Sequence, residues 1–307
     1  MESRRPAVGQ VQHEVRRVLR GGCRRLARLL IAIANRVARW GAVGQQRNES
    51  DSAAPEPLSA DERWFSEHIG AARQVATFLA QDGISLGGKR VADIGCGDGI
   101  IDLGIAHETG PRELIGFDLN LTDLPTLLER ARRYHYLDEL PSALSFCEST
   151  PTQIPAAAGS FDVLVSWSCF EHVGDPLALA KEMRRVIADD GHLMLQLWPF
   201  YNSEHGSHLM DWYPNGFVHL LEPEATIRAP MFDAAAADDE HASYMWEEYT
   251  KLNQLRLDGL QRALQDGGFA IRRVRLLSHD IQLSDGLARY PLSDLTIAGV
   301  MLIAVPV

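Results

Sequence analysis

Cysteine is scarce: the 307-residue chain has four, at 23, 96, 147 and 169, and no C-x-x-C pair. That excludes the spacings of a zinc ribbon or a dense disulfide framework. Three of the four, Cys96, Cys147 and Cys169, stand in apolar or glycine-rich runs, the setting of reduced, buried thiols in a cytosolic protein. Long apolar runs are missing too. None approaches the roughly 18 residues that span a bilayer. Leu29 to Ala34, bounded by Arg28 and Arg36, is too short for a secretory core.

Positive charge is in short supply over most of the chain. The formal net charge is −11, but residues 1–47 hold eleven Arg against two acids, +9, so the remainder carries −20. An acidic body is a poor partner for nucleic acid, and none is expected to bind it. Within the basic arm, Val11, Val15, Val18, Leu26, Leu29, Ile33, Val37 and Trp40 recur at helical spacing among arginines. Such a face fits peripheral contact with an anionic membrane through residues 11–40, and equally a solubilising tail or a targeting segment. The expected organisation is an arm at 1–47, a linker at 48–58 and one domain at 59–307. The expected location is cytoplasmic, with membrane contact at most peripheral.

Ser59 with Glu62 forms a capping box, predicting a helix to about Gln81 that Asp82-Gly83 ends. From residue 89, short apolar runs (89–95, 113–119, 144–147, 161–168, 192–198) alternate with helical patterns (100–108, 123–136, 176–188). This predicts an α/β fold with a doubly wound, Rossmann-like, mostly parallel sheet. Regularity lapses at 199–245, where histidine, proline and aromatics mix, and resumes with a helix at 247–266. Strands at 269–277 and 296–305 follow, an antiparallel hairpin that completes seven strands.

Val91 to Ile100, "VADIGCGDGI", puts Gly95, Gly97 and Gly99 between a strand and a helix, a turn where a ligand approaches backbone amides. No Lys-Ser/Thr follows, as a triphosphate loop requires, and no Lys or Arg lies between Val91 and Pro111. With Asp93, Asp98 and Asp102 present, a pyrophosphate meets repulsion and a cationic ligand is favoured. S-adenosylmethionine carries a sulfonium and an ammonium and no phosphate. Asp118 ends the second strand nineteen residues after Gly99, where a carboxylate can accept both ribose hydroxyls.

These stretches, with "IGFDLN" and "FDVLVSWSCFEHVGDPLALAKEMRRVIADDGHLMLQ", resemble class I S-adenosylmethionine-dependent methyltransferases, in particular the small-molecule branch of ubiquinone- and menaquinone-biosynthesis enzymes. The likeness is strong from Lys89 to Leu197; Asp189-Asp190-Gly191 replaces the usual Pro-Gly-Gly turn. The resemblance implies that Asp93 and the loop Gly95, Cys96, Gly97 and Gly99 hold the methionine part. It further implies that Asp118 holds the ribose, that Leu119 packs on the adenine, and that Glu148 or Ser149 stands where an acid contacts the adenine amino group. Ser166 would line the methyl-transfer channel.

An acceptor that keeps its proton at neutral pH needs a base. The candidates are His208, then His172, then His219. His205, His208 and Asp211 stand three residues apart, yet Gly206 and Pro214 argue against a helix there, so no metal site is expected. The rings of Trp198, Phe200, Tyr201, Trp212, Tyr213 and Phe217 fit a lid over a small-molecule acceptor, or the packing of a subdomain. No Asn/Asp-Pro-Pro-aromatic tetrad follows the fourth strand, where base amino-methylases need it. A non-catalytic binding protein and an Arg-arm RNA methyltransferase are the alternatives.

Overall fold

The computed structural model describes residues 58–233 and 239–307 and divides the chain into units at 1–57 and 58–307. The basic arm, most of the linker and the expected membrane contact at 11–40 lie outside the described residues. Among the described residues, no helix is long and apolar enough to cross a membrane.

Helix α1 (Ala60–Ala80) starts where the capping box places it, with Ser59 Oγ accepting from Glu62 N at 3.1 Å. Then follow β1 (Arg90–Ile94), α2 (Ile100–Thr109), β2 (Glu113–Asp118), α3 (Leu124–Arg133), β3 (Leu144–Glu148), β4 (Phe161–Trp167), α4 (Pro176–Val186) and β5 (Ile187–Leu197). Short helices α5 (Val218–Leu221) and α6 (Glu224–Phe232) precede α7 (Asp239–Lys251) and α8 (Leu257–Asp266). The chain closes with β6 (Phe269–Ser278), α9 (Leu292–Thr296) and β7 (Ile297–Pro306). The seven strands lie in the order β3-β2-β1-β4-β5-β7-β6. All pairs through β5 are parallel, and β7 runs antiparallel between β5 and β6.

Successive strand residues point to opposite faces, and here both faces are covered. Val91, Val163, Val165 and Met194 pack against α1 and α2 through Val75, Phe78, Ile101 and Ile105. Their neighbours Ala92, Leu164, Leu193 and Leu195 pack against α4 and α8 through Met183, Leu260 and Leu264. That is why the strands are near-continuous apolar runs. The strand order turns back between β1 and β4, and ligands of open α/β sheets bind at the carboxyl ends of strands flanking such a point.

Two expectations need correction. The fifth strand begins at Ile187, five residues early, because a register shift opposite Phe161 and Val163 lets Asp189-Asp190-Gly191 bulge within it. The single helix expected at 247–266 is two. Asn253 breaks it, since its Nδ2 donates to the carbonyls of Phe170 (2.6 Å) and Val173 (2.8 Å). The break pins α7 to the loop after β4. The described parts of the stretch, 199–233 and 239–245, are largely turns, short helices and the start of α7. Their rings are mostly spent on packing: Tyr201, Trp212 and Tyr213 surround Leu209, Ile227 and Met231, Phe200 joins the main core, and Phe217 packs with Leu287 and Leu295.

Candidate active site

β1 delivers the chain into the glycine loop with positive φ at Gly95 (81°), Gly97 (55°) and Gly99 (77°), conformations that cost side-chain-bearing residues. The loop hangs from β2, with Gly95 N and Cys96 N donating to Phe117 O at 2.8 and 3.2 Å. A Cβ on Gly95 would run into Cys169 Sγ and one on Gly99 into the Phe146 ring, whereas beside Gly97 nothing lies within 4 Å. Backbone is therefore bare and approachable at Gly97, as a ligand cradle requires. Gly95→Ala combines left-handed strain with a clash into half-buried Cys169. We expect a loss of about 2 kcal/mol, seen as a melting temperature about 4–8 °C lower.

Asp118, at the end of β2, accepts from Gly97 N at 3.0 Å and Asn120 N at 3.3 Å. Leu119 beside it is 52% exposed, a free apolar surface for a flat ring. Glu148 ends β3 and Ser149 follows it; with Gln153, Ile154, Glu182 and Arg185 they line a cavity of about 380 Å³ that neither the glycine loop nor Asp118 lines, and Ser149 N donates to Asp118 O at 2.7 Å. Cys96 turns inward to within 3.7 Å of Thr122 Oγ1, and burial pushes its thiol pKa up.

Ser166 is fully buried, and its Oγ donates to Ile94 O at 2.9 Å, tying β4 to β1. The loop is also less isolated from positive charge than its sequence neighbourhood: Arg130 of α3 donates to Asp98 at 2.9 Å and reaches Asp61 at 2.8 Å. Trp64 Nε1 donates to the same Asp98 oxygen.

Beneath the loop, Asp93 and Asp102 are 2% and 0% exposed, and Asp93 Oδ1 and both carboxyl oxygens of Asp102 are buried without a hydrogen-bond partner. Burial pushes Asp93 to about 7, with the Asp118 charge adding to it, and pushes Asp102 well above the carboxylate range, with the Asp93 charge adding to it.

A second cluster forms after β4. Ser168 sits at φ 46°, its N and Oγ both donating to Gln196 Oε1 at 2.9 and 3.0 Å. The strained turn leads into Cys169, Phe170, Glu171 and His172. His172 Nδ1 lies 3.4 Å from Glu248 Oε2 on α7, and its ring centroid is 5.2 Å from that of His208. Burial lowers the pKa of His172, and it lowers His208 to about 3, so both rings are neutral at pH 7. Glu171 is 4% exposed, with Oε2 lacking a donor, and burial lifts it to about 8.

Glu171, His172 and His208 offer three ligand atoms within 4.8 Å of one another. His205, His208 and Asp211 do not line up on one helix face, because the segment is a series of turns, as Gly206 and Pro214 suggest. His205 pairs instead with Glu204, and Asp211 with His241. His219 is separate: its Nε2 bonds to Tyr201 O at 2.5 Å, and burial lowers it to about 4.

Sequence reasoning missed Glu171 and Glu248 as site residues, and Asn253. Glu171-His172 was quoted only as part of a motif, and Glu248 is more than seventy residues distant. Tyr244, 60% exposed, was missed as well. Burial of its hydroxyl pushes the phenol pKa up, and the Glu248 charge adds to the shift.

A 3-2-1-4-5-7-6 sheet with the glycine loop at its switch point and an acid ending β2 defines an S-adenosylmethionine-dependent methyltransferase fold. The chain belongs to the methyltransferase-domain family, whose pattern matches residues 65–274, and its cofactor is S-adenosylmethionine. It is 27% identical over 172 residues to a ubiquinone biosynthesis O-methyltransferase of Idiomarina loihiensis, covering 53% of this chain and 67% of that one. It is 25% identical over 171 residues to the protein of that name from Psychrobacter arcticus, covering 52% and 64%. The chain thus spans about two thirds of these relatives' length. A solved S-adenosylmethionine-dependent methyltransferase from Mesorhizobium loti shares 18% identity, with a TM-score of 0.47 over 78% of this chain and 99% of that one.

Proposed function

We propose that the protein transfers a methyl group to an oxygen of a small-molecule acceptor, with His172 as the base that takes the hydroxyl proton. S-adenosylmethionine, when bound, supplies an electrophilic methyl for in-line displacement. The chain's own residues hold and orient. Asp118 presents acceptors for the ribose hydroxyls, Gly97 leaves backbone bare for close approach, Leu119 offers apolar surface for the adenine, and Glu148 or Ser149 addresses its amino group.

The observation that carries the reading is the His172–Glu248 pair. His172 Nδ1 makes no hydrogen bond here, so the nearby carboxylate acts through its charge: it supports the protonated imidazole and leaves Nε2 to accept a proton. His208, pushed to about 3, is the poorer base because a group so far below neutrality has little proton affinity. His219 is committed to a backbone carbonyl. The segment 199–245 acts as the acceptor-binding insertion, since it brings His208 against His172. The O-methyltransferase names of the two relatives support an oxygen acceptor.

A second reading rests on the same cluster. Glu171, His172 and His208, two imidazoles and a carboxylate without a donor, suit a divalent cation that would lower the acceptor hydroxyl's pKa instead.

The test uses radiolabelled S-adenosylmethionine with a panel of catechols, prenylated phenols, hydroxylated natural products and amines, with and without chelator. Label on a phenolic oxygen that survives chelation supports the base. Label only on nitrogen, or no transfer to any acceptor, sinks the oxygen assignment.

A further inference from the structure

Thr122 stands in the loop between β2 and α3, and the cofactor chemistry described so far does not use it. It is 8% exposed, and its Oγ1 donates to the carbonyl of Gly97 at 2.9 Å. A carbonyl only accepts, so the single hydroxyl proton is committed there. Cys96 Sγ, 3.7 Å from the same Oγ1, is then a donor to it. Thr122 Cγ2 also comes within 3.0 Å of the place a Gly99 Cβ would take. One buried side chain thus meets Cys96, Gly97 and Gly99, most of the glycine loop.

That grip sets the direction of one peptide group. The Gly97–Asp98 bond is trans, so its C=O and N–H point opposite ways. With the carbonyl turned inward onto Thr122, the Asp98 N–H is turned outward, at the exposed tip of the loop. Its neighbours are all engaged. Gly95 N and Cys96 N donate to Phe117 O, Gly97 N to Asp118, Gly99 N to Cys96 O, and Ile100 N to Asp98 Oδ1. Among the described residues, Asp98 N donates to no group. From Gly95 to Ile100 the cradle therefore offers a ligand one free backbone donor, and Thr122 aims it.

A free amide suits an oxygen acceptor, best a charged one, and the amino-acid end of S-adenosylmethionine carries a carboxylate. The acidity of the loop does not oppose this at its tip. The Asp98 carboxylate is itself engaged by three donors: Trp64 Nε1 and Arg130 at 2.9 Å each, and Ile100 N at 3.3 Å.

We propose that Thr122 is a cofactor-positioning residue: it fixes the Gly97–Asp98 peptide so that the Asp98 N–H meets the carboxylate at the amino-acid end of the cofactor. This rests on the cofactor reading.

The experiment is calorimetric titration of the full chain with two ligands. S-adenosylhomocysteine has the amino-acid end; 5′-methylthioadenosine keeps adenine, ribose and sulfur but lacks it, and weak binding of the second is read by displacement of the first. Thr122→Val preserves shape and removes the hydroxyl. It should weaken S-adenosylhomocysteine about five- to twentyfold and leave 5′-methylthioadenosine within twofold of wild type. Thr122→Ser restores the hydroxyl and should bring S-adenosylhomocysteine back to within threefold. General loosening of the loop would weaken both ligands, because Gly97 N also supports Asp118 at the ribose.

Three results overturn the proposal: equal weakening of both ligands, a valine variant within twofold of wild type for S-adenosylhomocysteine, or a serine variant as weak as the valine one. Should Thr122→Val not fold, Thr122→Ala removes the same hydroxyl and the same two ligands decide. If S-adenosylhomocysteine does not bind the wild type, the cofactor reading itself fails, which is a distinct result.

Discussion

Asp118→Ala should raise the dissociation constant for S-adenosylhomocysteine by about 10²–10³-fold while leaving the protein folded. Each hydrogen bond from a hydroxyl to a carboxylate contributes about 1.5–3 kcal/mol, and the ribose offers two. A loss of about 3–4 kcal/mol corresponds to that range of affinity. The variant also loses the bonds that Asp118 accepts from Gly97 N and Asn120 N. Both amides lie at an exposed loop where water can replace the carboxylate, so the melting temperature should fall by only a few degrees. Asp118→Asn retains one carbonyl acceptor and should lose about tenfold. Calorimetry decides: an alanine variant within threefold of wild type would remove Asp118 from the ribose.

The cofactor half was legible because it is local. Strand, glycine loop, helix and second strand occupy residues 90 to 118, and each is written in periodicity or in glycines whose φ no other residue adopts cheaply. The absence of basic residues between Val91 and Pro111 pointed to a cation-bearing cofactor, and that inference survives even though Arg130 arrives from α3. Arg130 meets Asp98 at the rim and leaves Asp93 and Asp102 unneutralised below.

The acceptor half was poorly legible because it is assembled from afar. His172 follows β4, His208 sits at φ 61° in a turn, and Glu248 is on α7. No spacing rule joins positions 172, 208 and 248. Ser166, at the carboxyl end of β4, ties two buried strands through its bond to Ile94 O, a use that the sequence does not distinguish from facing a ligand.

His172→Gln should lower kcat by about 10²–10⁴-fold on a phenolic acceptor whose proton must leave, with S-adenosylhomocysteine affinity unchanged. Burial lowers the His172 pKa, and the Glu248 carboxylate partly restores it. A base acts when unprotonated, so the acid limb of the rate profile should fall below pH 6.5, the ordinary histidine value. Glu248→Gln removes the restoring charge and should move that limb lower still, with about a tenfold lower plateau. A merely structural Glu248 would change the plateau without moving the limb.

The cation reading separates cleanly from this one. If Glu171, His172 and His208 hold a metal, chelator should abolish wild-type turnover, His208→Gln should be as damaging as His172→Gln, and added divalent cation should raise the wild-type melting temperature. If His172 works alone as the base, chelator changes nothing and His208→Gln loses less than tenfold. That ring's place beside His172 then serves to keep the pocket dry enough for a neutral imidazole to meet its acceptor.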